Sequence, residues 1–170
     1  MLLTIKQTRK LLPLPQRALM SKLYFDLSEL REKSSEVELC AFEIQSPTAQ
    51  KHLFILHGLL SQGRNWRSFA LNDEIGKRRN SHLLDIRNHG ESDHHESMLY
   101  AEQAGDVLRY ADKKGIEKLT IMGHNVGAKI AMAFACKYPE RVDAVISLDT
   151  APRSNANNLK AAEATLNTLN

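Results

Sequence analysis

Four short, almost uninterrupted apolar runs, His52–Leu56, 83–86, 119–122 and Val142–Leu148, recur along this 170-residue chain with longer amphipathic stretches between them. A strand that is apolar throughout, rather than on alternate residues, has to be covered on both faces. Helices on both sides of a parallel sheet are the arrangement that does so. The intervening stretches fit. Tyr100–Lys113 carries Ala101, Ala104, Val107, Leu108 and Ala111 on one stripe, and Lys113, Lys114 and Gly115 close it with basic residues and a cap glycine. Helices are also expected over 66–75 and 126–138, the latter stopped by Pro139. Upstream, 23–27 and 37–44 read as two further strands, the second alternating Val37, Leu39 and Ala41 against Glu36 and Glu38 and ending at Ser46-Pro47. The pattern predicts an α/β domain with a doubly wound, mostly parallel sheet of six strands.

Composition narrows the function classes. No run approaches the roughly 18 consecutive apolar residues that span a bilayer, so no transmembrane helix is expected. The net charge of +3 is not spread over the chain. Residues 1–25 hold Lys6, Arg9, Lys10, Arg17 and Lys22 with no Asp or Glu, and the remainder is slightly acidic, which argues against a nucleic-acid surface. Residues 1–22 form a basic leader. Lacking acids, with Leu and Ile among its Lys and Arg, it resembles a mitochondrial presequence; the other reading is a basic arm on a cytoplasmic protein. Cys40 and Cys136 have no metal-ligand or redox-motif spacing and read as buried thiols. The domain proper is expected over 23–152, followed by a polar tail, 153–170, with a thin stripe of Leu159, Ala162, Leu166 and Leu169 that reads as a weak helix.

In open α/β sheets ligands sit beyond the carboxyl ends of the strands. Three such positions are unusual here: His57-Gly58-Leu59-Leu60 with Arg64-Asn65-Trp66 after it, the segment from Asp85 through Arg87, Asn88, His89 and Gly90 to Ser92, and Gly123-His124-Asn125-Val126-Gly127 opening a helix of small residues. A sharp strand-to-helix turn needs small neighbours, which accounts for Gly123 and Gly127. The N–H of Val126, at a helix N-terminus, is placed to stabilise negative charge.

Together, and in this order, the three segments resemble the α/β-hydrolase family, most closely its small esterase-type members, over residues 23 to 152. The resemblance implies a serine nucleophile at position 125, an oxyanion site made by the backbone N–H groups of Val126 and Leu59, and no metal or cofactor. It implies eight strands ordered 1-2-4-3-5-6-7-8, of which this chain would hold six, lacking the last two strands and the lid.

Two departures from the family stand out. Position 125 is Asn, whose amide has no hydroxyl to deprotonate and is a very poor nucleophile. Asn nevertheless tolerates positive φ better than other non-glycine residues, so the turn is expected to survive the loss of the nucleophile. The family also places its catalytic histidine after the last strand, and all seven histidines here, at 52, 57, 82, 89, 94, 95 and 124, precede Asn125. Asp149 is a candidate acid, although a strand-end cap is its plainer role. His94 and His95 are adjacent on a loop and read as no metal site. The expectation is an α/β-hydrolase-fold protein without serine catalysis, with an accessory role, the alternative being an ester or thioester hydrolase in altered form. With Val142–Leu148 at the sheet edge, a second polypeptide or self-association is expected there.

Overall fold

The computed structural model describes residues 3–6 and 37–150. One sheet contains β1 (Leu3–Lys6), β2 (Ala41–Ile44), β3 (His52–Leu56), β4 (Asn80–Leu84), β5 (Leu119–His124) and β6 (Val142–Leu148). Their spatial order is β1-β6-β5-β3-β4-β2. The four central strands are parallel, and β1 and β2 run antiparallel to β6 and β4. Among the described residues the α-helices are the short α1 (Arg67–Ala70) and α2 (Asp73–Gly76), then α3 (Tyr100–Lys113) and α4 (Val126–Lys137).

Side chains on successive strand residues point to opposite faces, so each apolar run divides itself between two cores. Phe54, Leu56, Leu84, Leu119 and Ile121 meet Ala104, Val107 and Ala111 of α3 and Ile130, Ala131 and Phe134 of α4. Leu53, Ile55, Leu83 and Met122 face the other way, against Ala70, Trp66 and Ile75. Both faces are covered, as the uninterrupted runs require. The chain leaves β3 toward β4 on one side and returns through α3 to β5 on the other. The strand order therefore reverses between β3 and β5, and the space beyond their carboxyl ends is where open α/β sheets form their ligand crevice.

Several expectations change. β6 is not the edge strand. Leu3–Lys6, within the segment read as a basic leader, pairs with it from Leu3 opposite Ser147 to Lys6 opposite Ala144, so over Ala144 to Ser147 that edge is paired within the chain. The expected strand at 23–27 and the tail at 153–170 lie outside the described residues. The expected helix over 66–75 is broken into a 3-10 turn at Gly63–Trp66 followed by α1 and α2, because Asn72 starts a new helix by accepting the Glu74 N–H at 3.1 Å. Residues 37–40 are not part of the ladder. Loop groups hold them instead: the Cys40 N–H donates to Ser92 Oγ at 2.7 Å and the Glu38 N–H to Asp93 Oδ2 at 2.9 Å. Both cysteines are free and exposed rather than buried. Among the described residues no helix is long and apolar enough to cross a membrane.

Candidate active site

The turn between β5 and α4 is the most constrained point of the crevice. Asn125 has φ 51° and ψ −114°. This lies close to the first central position of a type II′ turn, about +60°, −120°, where Gly, Asn and Asp predominate. The Asn125 N–H donates to Leu148 O at 3.1 Å, and its carbonyl accepts from the Ala128 N–H at 3.1 Å and the Lys129 N–H at 3.3 Å. Thr150 Oγ1 adds a further bond to that carbonyl at 3.1 Å. The side chain is exposed and caps nothing. The flanking glycines are steric requirements: a Cβ on Gly123 would lie 2.2 Å from Gly127 O, and one on Gly127 would lie 2.4 Å from Leu56 O. Helix α4 thus rests its first turn directly on the backbone of β3 and β5.

Val126 is the first residue of α4, so its N–H has no intrahelical acceptor. Packed against this turn is Gly58, where a Cβ would lie 2.8 Å from His124 Nδ1 and 3.3 Å from Asn125 Cβ. The next residue is Leu59. Its loop turns through Leu60 at φ 56°, and the Leu60 N–H donates to His89 Nε2 at 3.3 Å. His89 Nδ1 in turn meets Arg87 O at 3.0 Å, which fixes that nitrogen as the donor and Nε2 as the acceptor. The sequence assigns His89 to a motif without a role; the structure makes it the support of the Leu59-Leu60 loop.

His57 is fully buried and bonded on both ring nitrogens: Nδ1 donates to Gly58 O at 2.7 Å, and Nε2 accepts the Ile86 N–H at 3.1 Å. Burial pushes its pKa below the usual histidine range. It ties the ends of β3 and β4 together as a neutral ring. The loop after β4 is held in the same manner. Asp85 Oδ1 accepts the Gly63 N–H at 2.6 Å and Oδ2 the Glu91 N–H at 3.0 Å, while Ser92 Oγ donates to Asp85 O at 2.7 Å. Arg87, with no exposed surface, is bidentate to Asp106 at 2.7 and 2.8 Å and reaches Glu102 at 2.9 Å and Ser97 O at 2.8 Å. Burial opposes its charge, but the Asp106 and Glu102 contacts outweigh burial and raise its pKa. No motif marks Asp106. Its signal is a carboxylate lying between Ala104 and Val107 on the buried stripe of α3, where only a paired charge is tolerated.

Asp149 sits at φ 52° just past β6, with its side chain 87% exposed and Oδ2 3.9 Å from His124 Nε2. It faces the histidine that precedes Asn125, and His124 also lies 6.1 Å from the Trp66 ring. The structure therefore gathers Leu59, His124, Asn125, Val126 and Asp149 at one end of the sheet. His94 and His95 stay outside this group, and among the described residues no cluster suits a metal ion.

A parallel sheet with its crevice at the strand-order reversal, and a tight β5–α4 turn beside a His-Gly loop, defines an α/β protein built to present one residue on a turn. Residues 51–169 match the alpha/beta hydrolase fold, and the chain belongs to that family. It is 37% identical to an abhydrolase domain-containing protein of Schizosaccharomyces pombe over 114 residues, covering 66% of this chain and 42% of that one. It is 32% identical to ethanol acetyltransferase 1 of Kluyveromyces marxianus, covering 86% of this chain and 38% of that one. A marine microorganism esterase superposes with a TM-score of 0.71 at 32% identity over 79% of this chain and 51% of that one. The chain thus spans about two fifths of these curated relatives and half of the esterase.

Proposed function

We propose that this chain is an α/β-hydrolase-fold protein whose nucleophile-elbow position is taken by Asn125, so that the crevice binds an acyl carbonyl or carboxylate without serine catalysis. The role is then accessory, in mitochondria if residues 1–22 act as a presequence. The backbone of Asn125 carries this reading: the strained turn is kept, with both glycines in place, while the side chain on it has no ionisable hydroxyl. The N–H groups of Val126 and Leu59 are the donors such a ligand would meet. In this reading Asp149 is no acid for Asn125, since it faces His124 and solvent.

The second reading, an ester or thioester hydrolase in altered form, has support from the similarity to an esterase and an acetyltransferase. Loss of a single triad member typically lowers turnover by about 10⁴–10⁶. The test is to treat the purified chain with p-nitrophenyl acetate and a fluorophosphonate probe, beside Asn125→Ser. Labelling of Asn125→Ser at residue 125 with an unlabelled wild type supports the noncatalytic reading. Labelling of the wild type at Ser61, Ser92 or any other serine of the crevice overturns it.

A further inference from the structure

We propose that Asn125 is a self-modification site, at which the Val126 nitrogen closes on the Asn125 side-chain amide to give a succinimide that water opens to aspartate or isoaspartate. Ring closure needs Cβ of the asparagine and the following nitrogen on the same side of the Cα–C bond, nearly eclipsed. Helical and strand backbones, with ψ near −42° or +135°, hold these atoms well apart. A tetrahedral L-residue sets Cβ a third of a turn from its own nitrogen about that bond, so ψ of −114° brings Cβ almost into line with Val126 N. The turn that the fold imposes on residue 125 is the backbone of the ring.

Three further features of the site favour the reaction. Val126 N–H is the first of α4 and is committed to no intrahelical bond. The first helical position is where proline, which has no N–H, is tolerated, so an imide nitrogen there costs the helix no hydrogen bond. The Asn125 side chain is exposed and makes no cap bond, leaving Cγ accessible to both the nitrogen and water. The aspartate product would place its charge at the head of α4, where unbonded N–H groups and the helix dipole favour it.

The chemistry balances with water alone. The bond from Val126 N to Asn125 Cγ forms as the amide proton passes to solvent. The Cγ–Nδ2 bond breaks, and Nδ2 leaves as ammonia with protons returned by water. One water then adds to either imide carbonyl. Cleavage of N–Cγ restores the peptide bond and leaves aspartate; cleavage of the bond from Val126 N to the residue-125 carbonyl carbon leaves isoaspartate. The branched Val126 side chain crowds its own nitrogen and slows closure in an unfolded chain, which makes the folded geometry decisive. The inference needs no bound ligand and is independent of the acyl-site reading.

The test is to incubate the full chain at mildly alkaline pH in ¹⁸O-water, native and urea-unfolded in parallel, and to follow the residue-125 peptide by mass spectrometry and isoaspartyl methylation. Conversion on the order of tenfold faster in the native chain is expected from the pre-aligned geometry, with isoaspartate among the products and the ammonia-loss intermediate detectable. Val126→Gly, which uncovers the nitrogen, is expected to convert faster still. Native conversion no faster than unfolded overturns the proposal. So does conversion to aspartate alone, without isoaspartate or intermediate, since that is direct hydrolysis of the side-chain amide.

Discussion

Acid should weaken this protein through its buried histidines, and His82 is the case whose size can be worked out. His82 on β4 is the middle of a hydrogen-bonded chain: His52 Nδ1 lies 3.0 Å from His82 Nε2, His82 Nδ1 lies 3.0 Å from the Tyr110 hydroxyl, and that hydroxyl donates to Glu43 Oε1 at 3.1 Å. Because the Tyr110 proton points to Glu43, His82 donates through Nδ1, and with Nε2 accepting from His52 Nδ1 the ring is neutral. Lys114 also pairs with Glu43 and, like His52, opposes a positive charge on His82. Burial is the larger cause, and together they lower its pKa from 6.5 to about 4. Between those values the unfolded chain binds a proton that the native chain refuses, so stability is complete above pH 6.5 and falls as the pH drops toward 4. At about 1.4 kcal/mol per unit the loss attributable to this ring is about 3 kcal/mol. Urea unfolding of the wild type and His82→Gln across that window measures it. The variant should be less stable at neutral pH, yet lose about 3 kcal/mol less on acidification. Parallel pH profiles for the two proteins would refute the reasoning.

Three other outcomes follow from the packing. Arg87→Met strips buried Asp106 of its bidentate partner and leaves it the half-exposed Arg109, so it should cost up to about 3–5 kcal/mol in urea unfolding; Arg87→Met with Asp106→Leu should recover most of that, and a double variant no better than the single would contradict the pairing account. Gly123→Ala should destabilise by at least about 3 kcal/mol, because the new methyl meets backbone at 2.2 Å rather than a movable side chain; a melting temperature equal to wild type would show that α4 does not rest on β5 as described. Deleting residues 1–6 removes β1, so the amides of Ala144 to Ser147 that face it should exchange faster with deuterium and the bared β6 edge should promote self-association in sedimentation. Unchanged exchange in the deletion would mean that β1 does not hold that edge. The same deletion mimics part of what removal of a presequence would do.

The architecture is legible in the residue pattern. Uninterrupted apolar runs demand cover on two faces, and Tyr100–Lys113 and Val142–Leu148 appear with the bounds that periodicity predicts. That pattern also located the crevice, because ligand ends of parallel strands follow from strand order and the β5–α4 turn announces itself through Gly123, Asn125 and Gly127. What depends on partners distant in the chain emerges once the chain is folded. Whether β6 is an edge turned on Leu3–Lys6, more than 130 residues away, and a four-residue strand with basic neighbours has no local pattern strong enough to claim that place. His57 and Ser92 look like chemistry in the sequence and are backbone ties in the fold, since a polar side chain's role is set by which buried N–H or carbonyl it must satisfy. Asn125 belongs to both levels. Its identity removes the hydroxyl from position 125, while the ψ of −114° that brings it to its neighbour's nitrogen belongs to a turn held where α4 is pressed onto β3 and β5.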